Sequence, residues 1–290
     1  MAAELGRYRW FLDLFAHFKL QYAVAFAFCF VTGVGLRQRA LAALALGGAV
    51  FHAWPVLALA YPHHDRPEAN FRLVSFNAGF WNDHYAEIGA FLESTRADAV
   101  ILLEYRNDQL DQLARFLPSY RFRLSEQADL RYGAAILSRW PLSEGENVAL
   151  SPGGAVVARA RIHAGQHTVS VSGVHLSWPA TPRSARSREQ ELVKLGHVLA
   201  SCNPACVVAG DFNLTQWSGH FADFQEHLGW HNCASGQGIV RSWPNLIWPL
   251  GIQIDQCLTS PRVRIARFAT GPAMGSDHFP IVIDLAPEPY

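Results

Sequence analysis

The sequence predicts an α/β fold in which two packed, mixed β-sheets are flanked by helices, preceded by a helical hairpin of membrane-spanning length. Three observations lead there. From Phe71 onward, many short β-rich runs alternate with only a few helical stretches. Strand-like runs such as "AVILLEY" and "VVAGDFN" are apolar almost throughout, as in strands covered on both faces. Ahead of Phe71 lie two long runs without a formal charge.

The hairpin comes first in the chain. Leu20 to Leu36 reads "LQYAVAFAFCFVTGVGL", "RQR" follows at 37–39, and an uncharged stretch resumes from Ala40 as "ALAALALGGAVFHAWPVLALAYP". A bilayer core needs about 20 apolar residues per helix, so spans at about 20–36 and 40–61 are expected within an N-terminal membrane region, residues 1–61. Apolar residues on every face argue against a pair of soluble core helices. A late first run followed at once by a second argues against a cleaved signal peptide. Gly and Ala suit close helix packing in lipid. The preceding "RYRWFLDLFAHFKLQY" mixes aromatics with Arg7, Arg9, Asp13 and Lys19, as an interfacial helix would. The lipid bilayer is therefore an expected partner. Arg37 and Arg39 favour a cytoplasmic turn and an outside domain, whereas Arg7, Arg9 and Lys19 pull the other way. Residues 62–70, "PHHDRPEAN", read as a linker, and 71–290 as a separate folded domain.

Along that domain, "FRLVSFNAG" reads as a strand ending at Asn77, and "YAEIGAFLESTRADA" as a helix with Ile88, Phe91 and Leu92 on one face. "AVILLEY" is a strand ending at Glu104, and "DQLDQLARFLPSY" a helix stopped by Pro118. "YGAAILSRWPL", "AVVARARI" and "HTVSVSGVHLSW" read as strands, "SARSREQELVKLGHVLA" as a helix, and "ACVVAGDFN", "IDQCLTS", "VRIARFAT" and "FPIVIDLA" as strands. Net charge is zero and 17% of residues are charged, which disfavours a chain that works mainly by electrostatic capture of nucleic acid. The five cysteines show no CxxC or Cys/His zinc spacing. Cys29 reads as a small hydrophobe. The other four could pair in an oxidising compartment, but spacing does not assign a disulfide.

Polar groups gather at strand ends: Asn77, Glu104, His175, Asp211 with Asn213, Asp255, then Asp277 and His278 in "GSDHFP". Asp211 and Asn213 are two apart, so an extended strand would aim both the same way. Each alone reads equally as a turn residue, a surface acid or a core histidine; the set is what points to a pocket. Glu104 and Asp277 with a neutral Asn77 are hard oxygen donors, suited to Mg²⁺ or Mn²⁺ rather than zinc. His175 and His278 can handle protons near neutrality.

"VSFNAGF", "ILLEY", "GAAILSRWPL", "VSVSGVHLSW", "VVAGDFNLTQW", "IDQCLTS" and "GSDHFPIVIDL" resemble, in order, the motif series of the endonuclease/exonuclease/phosphatase superfamily. The resemblance covers about residues 71–286 and implies a DNase-I-like four-layer sandwich. "GDFN" with a downstream "SDH" is its specific part. With the hairpin ahead, the chain is similar to a membrane-anchored bacterial branch, which implies an inner-membrane protein with its enzyme domain outside the cytoplasm.

The resemblance implies metal-assisted, in-line attack of water on a phosphate ester. Glu104 would be the main metal ligand, supported by Asn77 and Asp277. Asp211 would orient or deprotonate the water, and Asn213 would donate to the developing charge. Asp255 would hold His278 on the phosphate, with His175 on the other side. Ala78 stands where family nucleases often carry a polar group, which puts a second metal near Asn77 in doubt. Three functions stay open: a phosphodiesterase at the bilayer, with "SWPNLIWPLGIQ" (242–253) as an apolar lip; a nuclease using Arg183, Arg186 and Arg188 on a phosphate backbone; or a tethered module without catalysis.

Overall fold

The structure is a computed structural model and describes residues 6, 9–61, 66–125 and 133–288. Arg7 and the first residues of the 62–70 linker lie outside the described residues. Helix α1 (Trp10–Asp13) passes through a 3-10 turn (Leu14–Phe18) into α2 (Lys19–Gly35), and α3 (Arg39–Ala60) follows after a three-residue turn. The two long helices pack closely. A Cβ on Gly33 would lie 3.0 Å from the Ala42 nitrogen. By length and composition both could cross a membrane, and 17% of each apolar window is buried, unlike the core helices of a soluble domain.

The segment before α2 departs from expectation. Asp13 does not face a lipid interface: it is fully buried against the second half of the chain, paired with Arg188 and bonded by Ser218. Arg188 is equally buried, so it does not hold a phosphate backbone. Charge patterning along one segment could not show this, because the partner that neutralises Asp13 lies 175 residues away.

The rest is four layers. One sheet runs β11 (Val263–Thr270), β12 (Ile281–Pro287), β1 (Phe71–Asn77), β2 (Ala99–Leu103), β4 (Ala134–Ser138), β3 (Phe122–Leu124). The other runs β5 (Leu142–Ala149), β6 (Val156–Ala164), β7 (His167–His175), β8 (Cys206–Asp211), β10 (Asp255–Thr259), β9 (His231–Asn232). Each is mixed, with a parallel pair near the middle, β1 with β2 and β7 with β8. Alternation decides what each strand buries. Leu73, Ile101, Leu103, Val171, Val207 and Ala209 fill the core between the sheets. Their even-numbered neighbours Val74, Val100 and Leu102 pack outward on α4 (Tyr85–Thr95) and α5 (Asn107–Ala114). Val174 and Val208 pack outward with Leu195 of α6 (Pro182–Ala200) and Phe221 of α7 (Gly219–Leu228). Burial on both faces explains the apolar runs.

Several elements differ from the sequence reading, among them the short edge strands β3 and β9, which no apolar run marked. "YGAAILSRWPL" is not one strand: β4 ends at Ser138 and β5 starts at Leu142. β5 is an edge strand with no buried residue and with Ser, Glu, Gly and Asn along it, so it lacks an apolar signature. Helix α7 was also not foreseen. Disulfides join Cys202 to Cys206 and Cys233 to Cys257, while Cys29 is free and exposed.

Gly210 of β8 lies level with Val174 of β7, with its Cα hydrogen against that residue's backbone. Its φ is +148°, and a Cβ there would lie 1.9 Å from the Val174 carbonyl oxygen. Gly210→Ala should therefore destabilise the protein by roughly 2–6 kcal/mol, combining backbone strain with overpacking. A urea midpoint within error of wild type would contradict the close approach.

Candidate active site

The parity that fills the core also builds the site. Asn77, His175, Asp211 and Asp255 carry the odd numbers of the inward-facing residues on their strands, at the rim where the core stops. Register brings them level: His175 pairs with Asp211 across parallel strands, and Asp255 with Asp211 across antiparallel ones. Asn77 projects from the opposing sheet, and its Nδ2 donates to Asp211 Oδ2 at 3.2 Å and to Glu104 Oε1 at 3.1 Å. Glu104 should by alternation point outward with Leu102. Its φ of +49° breaks the alternation and brings the carboxylate to the inner rim. The loop before β12 adds His278, whose Nδ1 lies 2.8 Å from Asp255 Oδ2.

Asn213 reaches the site by a different route from the one expected. It is past the end of β8, with φ +50°, so strand alternation does not aim it. An Asx-type turn does: its backbone N–H donates to Asp211 Oδ1 at 2.8 Å. One proton of its side-chain amide goes to the Leu176 carbonyl at 2.9 Å; the second leaves one donor for the cleft. Asp211, Asn213, His175, Glu104, Asp277 and His278 line one cleft of about 500 Å³, within the range of small-molecule sites. Arg183 and Arg186 are exposed and do not line it.

Burial sets the electrostatics. Asp211 is wholly enclosed, and burial pushes its carboxyl up to about 6; His278 and His175 oppose that rise and Asp255 adds to it. Burial alone would lower His278, but Asp255 and then Asp211 outweigh it and hold the imidazolium up to about 10.

Asp211, Asp255 and His278 offer ligand atoms within 4.8 Å of one another. That trio is a poor cation cage, because Nδ1 is already shared with Asp255 and an imidazolium repels a metal. Glu104 and Asp277 fit a hard divalent ion better. The Glu104 side chain is 24% exposed to the cleft, and Asp277 uses Oδ2 to accept from Trp243 Nε1 at 2.8 Å, keeping its other oxygen. Asn77 turns its NH₂ toward Glu104 and its oxygen toward the Gly79 N–H, at 3.2 Å, so it steadies Glu104 more directly than it could bind metal.

The sequence reading missed three supports. Ser276 Oγ donates to the Asn77 carbonyl and accepts from the His278 N–H, fastening the last loop to β1. Ser242 Oγ accepts from the Asp255 N–H at 3.1 Å. Leu14 and Phe18, from the segment before α2, stand in the cleft wall. A lone serine or an aromatic in a mixed segment carries no signal of such a role. Trp243 and Ile252 of the expected lip do line the cleft, while Leu246, Ile247 and Leu250 are exposed beyond it.

The model of the Endonuclease/Exonuclease/phosphatase family matches residues 74–278. Among solved structures, an endonuclease/exonuclease/phosphatase from Beutenbergia cavernae is 21% identical, with TM-score 0.63 over 76% of this chain and 72% of that one. Mannosyl-6-phosphatase from Bacteroides thetaiotaomicron is 16% identical, with TM-score 0.61 over 75% and 100%. TDP2 of D. rerio, complexed with a single-strand DNA product, is 16% identical, with TM-score 0.63 over 74% and 98%. At these identities the likeness is one of fold. No curated protein matches the chain.

In the metal-free protein, the ring resonances of His278 should keep imidazolium shifts until pH nears about 10. Asp255→Asn removes the charge that most strongly retains that proton, so the midpoint should fall toward the ordinary histidine value. An unmoved midpoint would show that Asp255 does not hold the ring.

Proposed function

We propose a substrate class and a mechanism from one premise: the chain belongs to the endonuclease/exonuclease/phosphatase family, a family of phosphate-ester hydrolases. It is a membrane-anchored, divalent-metal-dependent phosphodiesterase acting on small diesters or lipid headgroups at the bilayer surface. The observation that carries the hydrolase reading is the convergence of Asn77, Glu104, His175, Asp211 and His278 from two sheets onto one cleft.

A Mg²⁺ or Mn²⁺ ion held by Glu104 and Asp277 would supply Lewis-acid polarisation of a phosphoryl oxygen. The chain's own residues do the rest. Asp211, ionised above about pH 6, accepts a hydrogen bond or proton from the attacking water. Asn213 donates its remaining amide proton to the charge that builds on phosphorus oxygens. His278 presents Nε2 to the phosphate as a charged donor, because its other nitrogen is fixed on Asp255. His175 Nε2, 3.4 Å from Asp211, binds the phosphate from the opposite side.

Three features support a substrate at the membrane. Leu14 and Phe18, just before the apolar hairpin, form part of the cleft wall. Trp178 and Trp243 also line the cleft, and net charge is zero. The two disulfides suit an oxidising compartment, hence a catalytic domain outside the cytoplasm.

Full-length protein in detergent should release product from an artificial diester with Mg²⁺ or Mn²⁺ and stop with a chelator. Turnover should decline as pH falls through about 6, where Asp211 takes up a proton. Asn213→Ala should cost about 10²–10³ in kcat with little change in melting temperature. Hydrolysis of sphingomyelin-type or inositol lipids in preference to plasmid DNA supports this substrate class. The reverse preference would make the protein a nuclease, and a folded protein inert with every divalent metal would make it a binding module.

A further inference from the structure

The segment before α2 does more than lie near the cleft. Asp13 and Arg188 are 0% and 1% exposed, and Arg188 Nη2 meets Asp13 Oδ2 at 3.0 Å. The same guanidinium donates through Nη1 to the backbone oxygen of Asn213 at 2.7 Å. Ser218 Oγ donates to Asp13 Oδ1 at 2.7 Å, and His17 Nδ1 lies 2.9 Å from Thr215 Oγ1. The segment therefore grips the loop from Asn213 to Ser218 directly at two points, Thr215 and Ser218, and through Arg188 at a third, Asn213.

A buried ion pair is a weak way to dock a helix, because apolar residues of similar size hold as well without the desolvation cost. Arg188 does something an apolar residue cannot. It delivers a charged donor to the carbonyl of a residue held at φ +50°, a region that disfavours a side chain with a Cβ. Fixing that carbonyl fixes the peptide plane next to the amide aimed into the cleft.

We propose that the Asp13–Arg188 pair is a positioning device for Asn213, which makes the juxtamembrane segment of the anchor a working part of the active centre. Arg188 sets the Asn213 backbone, Asp13 orients Arg188, and the anchor supplies Asp13. This rests on the hydrolase reading above. A domain cut free at residue 71 would keep both sheets but lose the carboxylate that orients Arg188.

The test uses the full chain in detergent micelles with a water-soluble diester, so that delivery of lipid plays no part. Asp13→Asn and Arg188→Lys should each lower kcat about 10- to 100-fold, the scale of a small misplacement, with KM little changed. Lys194→Ala, at an exposed position of the same helix α6 and away from the cleft, should leave kcat within about twofold, as a surface substitution does. The deciding measurement is a double-mutant cycle. In an Asn213→Ala background, Asp13→Asn should cost nothing further, because the group it positions is gone. Multiplying losses, or an unchanged kcat in folded Asp13→Asn, would overturn the proposal. If Asp13→Asn fails to fold, Arg188→Lys, which keeps the buried charge, answers the same question. Amide exchange across residues 211–218 gives a readout without turnover: Asp13→Asn should speed it about tenfold, the loss of one charged contact, and unchanged exchange refutes the coupling. A wild-type protein that hydrolyses no diester, yet shows this exchange change, would sink the hydrolase reading and leave the coupling standing.

Discussion

One hydrogen bond crosses from sheet to sheet at the open rim of the sandwich, from the Asn77 amide to the Asp211 carboxylate. The site depends on the apposition it marks. Asn77 ends a strand of one sheet and Asp211 ends a strand of the other, and the two meet only because the shared core brings inward-facing positions together. If the sheets slid or parted, Glu104 would separate from His175 and Asp211, and no cleft would gather these carboxylates and imidazoles. Core packing and chemistry are therefore one constraint: the alternation that buries Leu73 and Val207 also delivers Asn77 and Asp211.

The rim keeps its charged groups by pairing them. Asp255 lies under His278, and Asp211 lies between His278 and His175. An enclosed carboxylate without such partners would stay protonated well into the neutral range. Positive φ at Glu104 and Asn213 is a further departure from relaxed backbone, and it falls on residues that face the cleft. Strain at such positions persists where surrounding contacts over-determine it. Asn77 does this for Glu104, and Asp211, Leu176 and Arg188 do it for Asn213.

Much of this was legible in the sequence, for identifiable reasons. Strands buried on both faces announced themselves as apolar runs, and polar residues at their ends marked the rim. Asp255 and His278 were paired by the family resemblance, and the structure places them in contact. Less visible was anything set by backbone sign or by a distant partner. The alternation rule aimed Asn213 correctly for the wrong reason, since a turn and not a strand carries it. β5 escaped notice because an edge strand exposes polar side chains. Asp13 looked interfacial and Arg188 looked available for phosphate, because a local window shows charge without the partner that cancels it.

Whether the two sheets together build one hard-cation, phosphate-ester site can be read from metal-soaked crystals. With Mn²⁺, anomalous scattering should show a peak bonded to a Glu104 carboxylate oxygen, at the cleft shared with Asp211 and His278. A peak held elsewhere with Glu104 bare, or a structure in which Glu104 and Asp211 face different surfaces, would contradict the account.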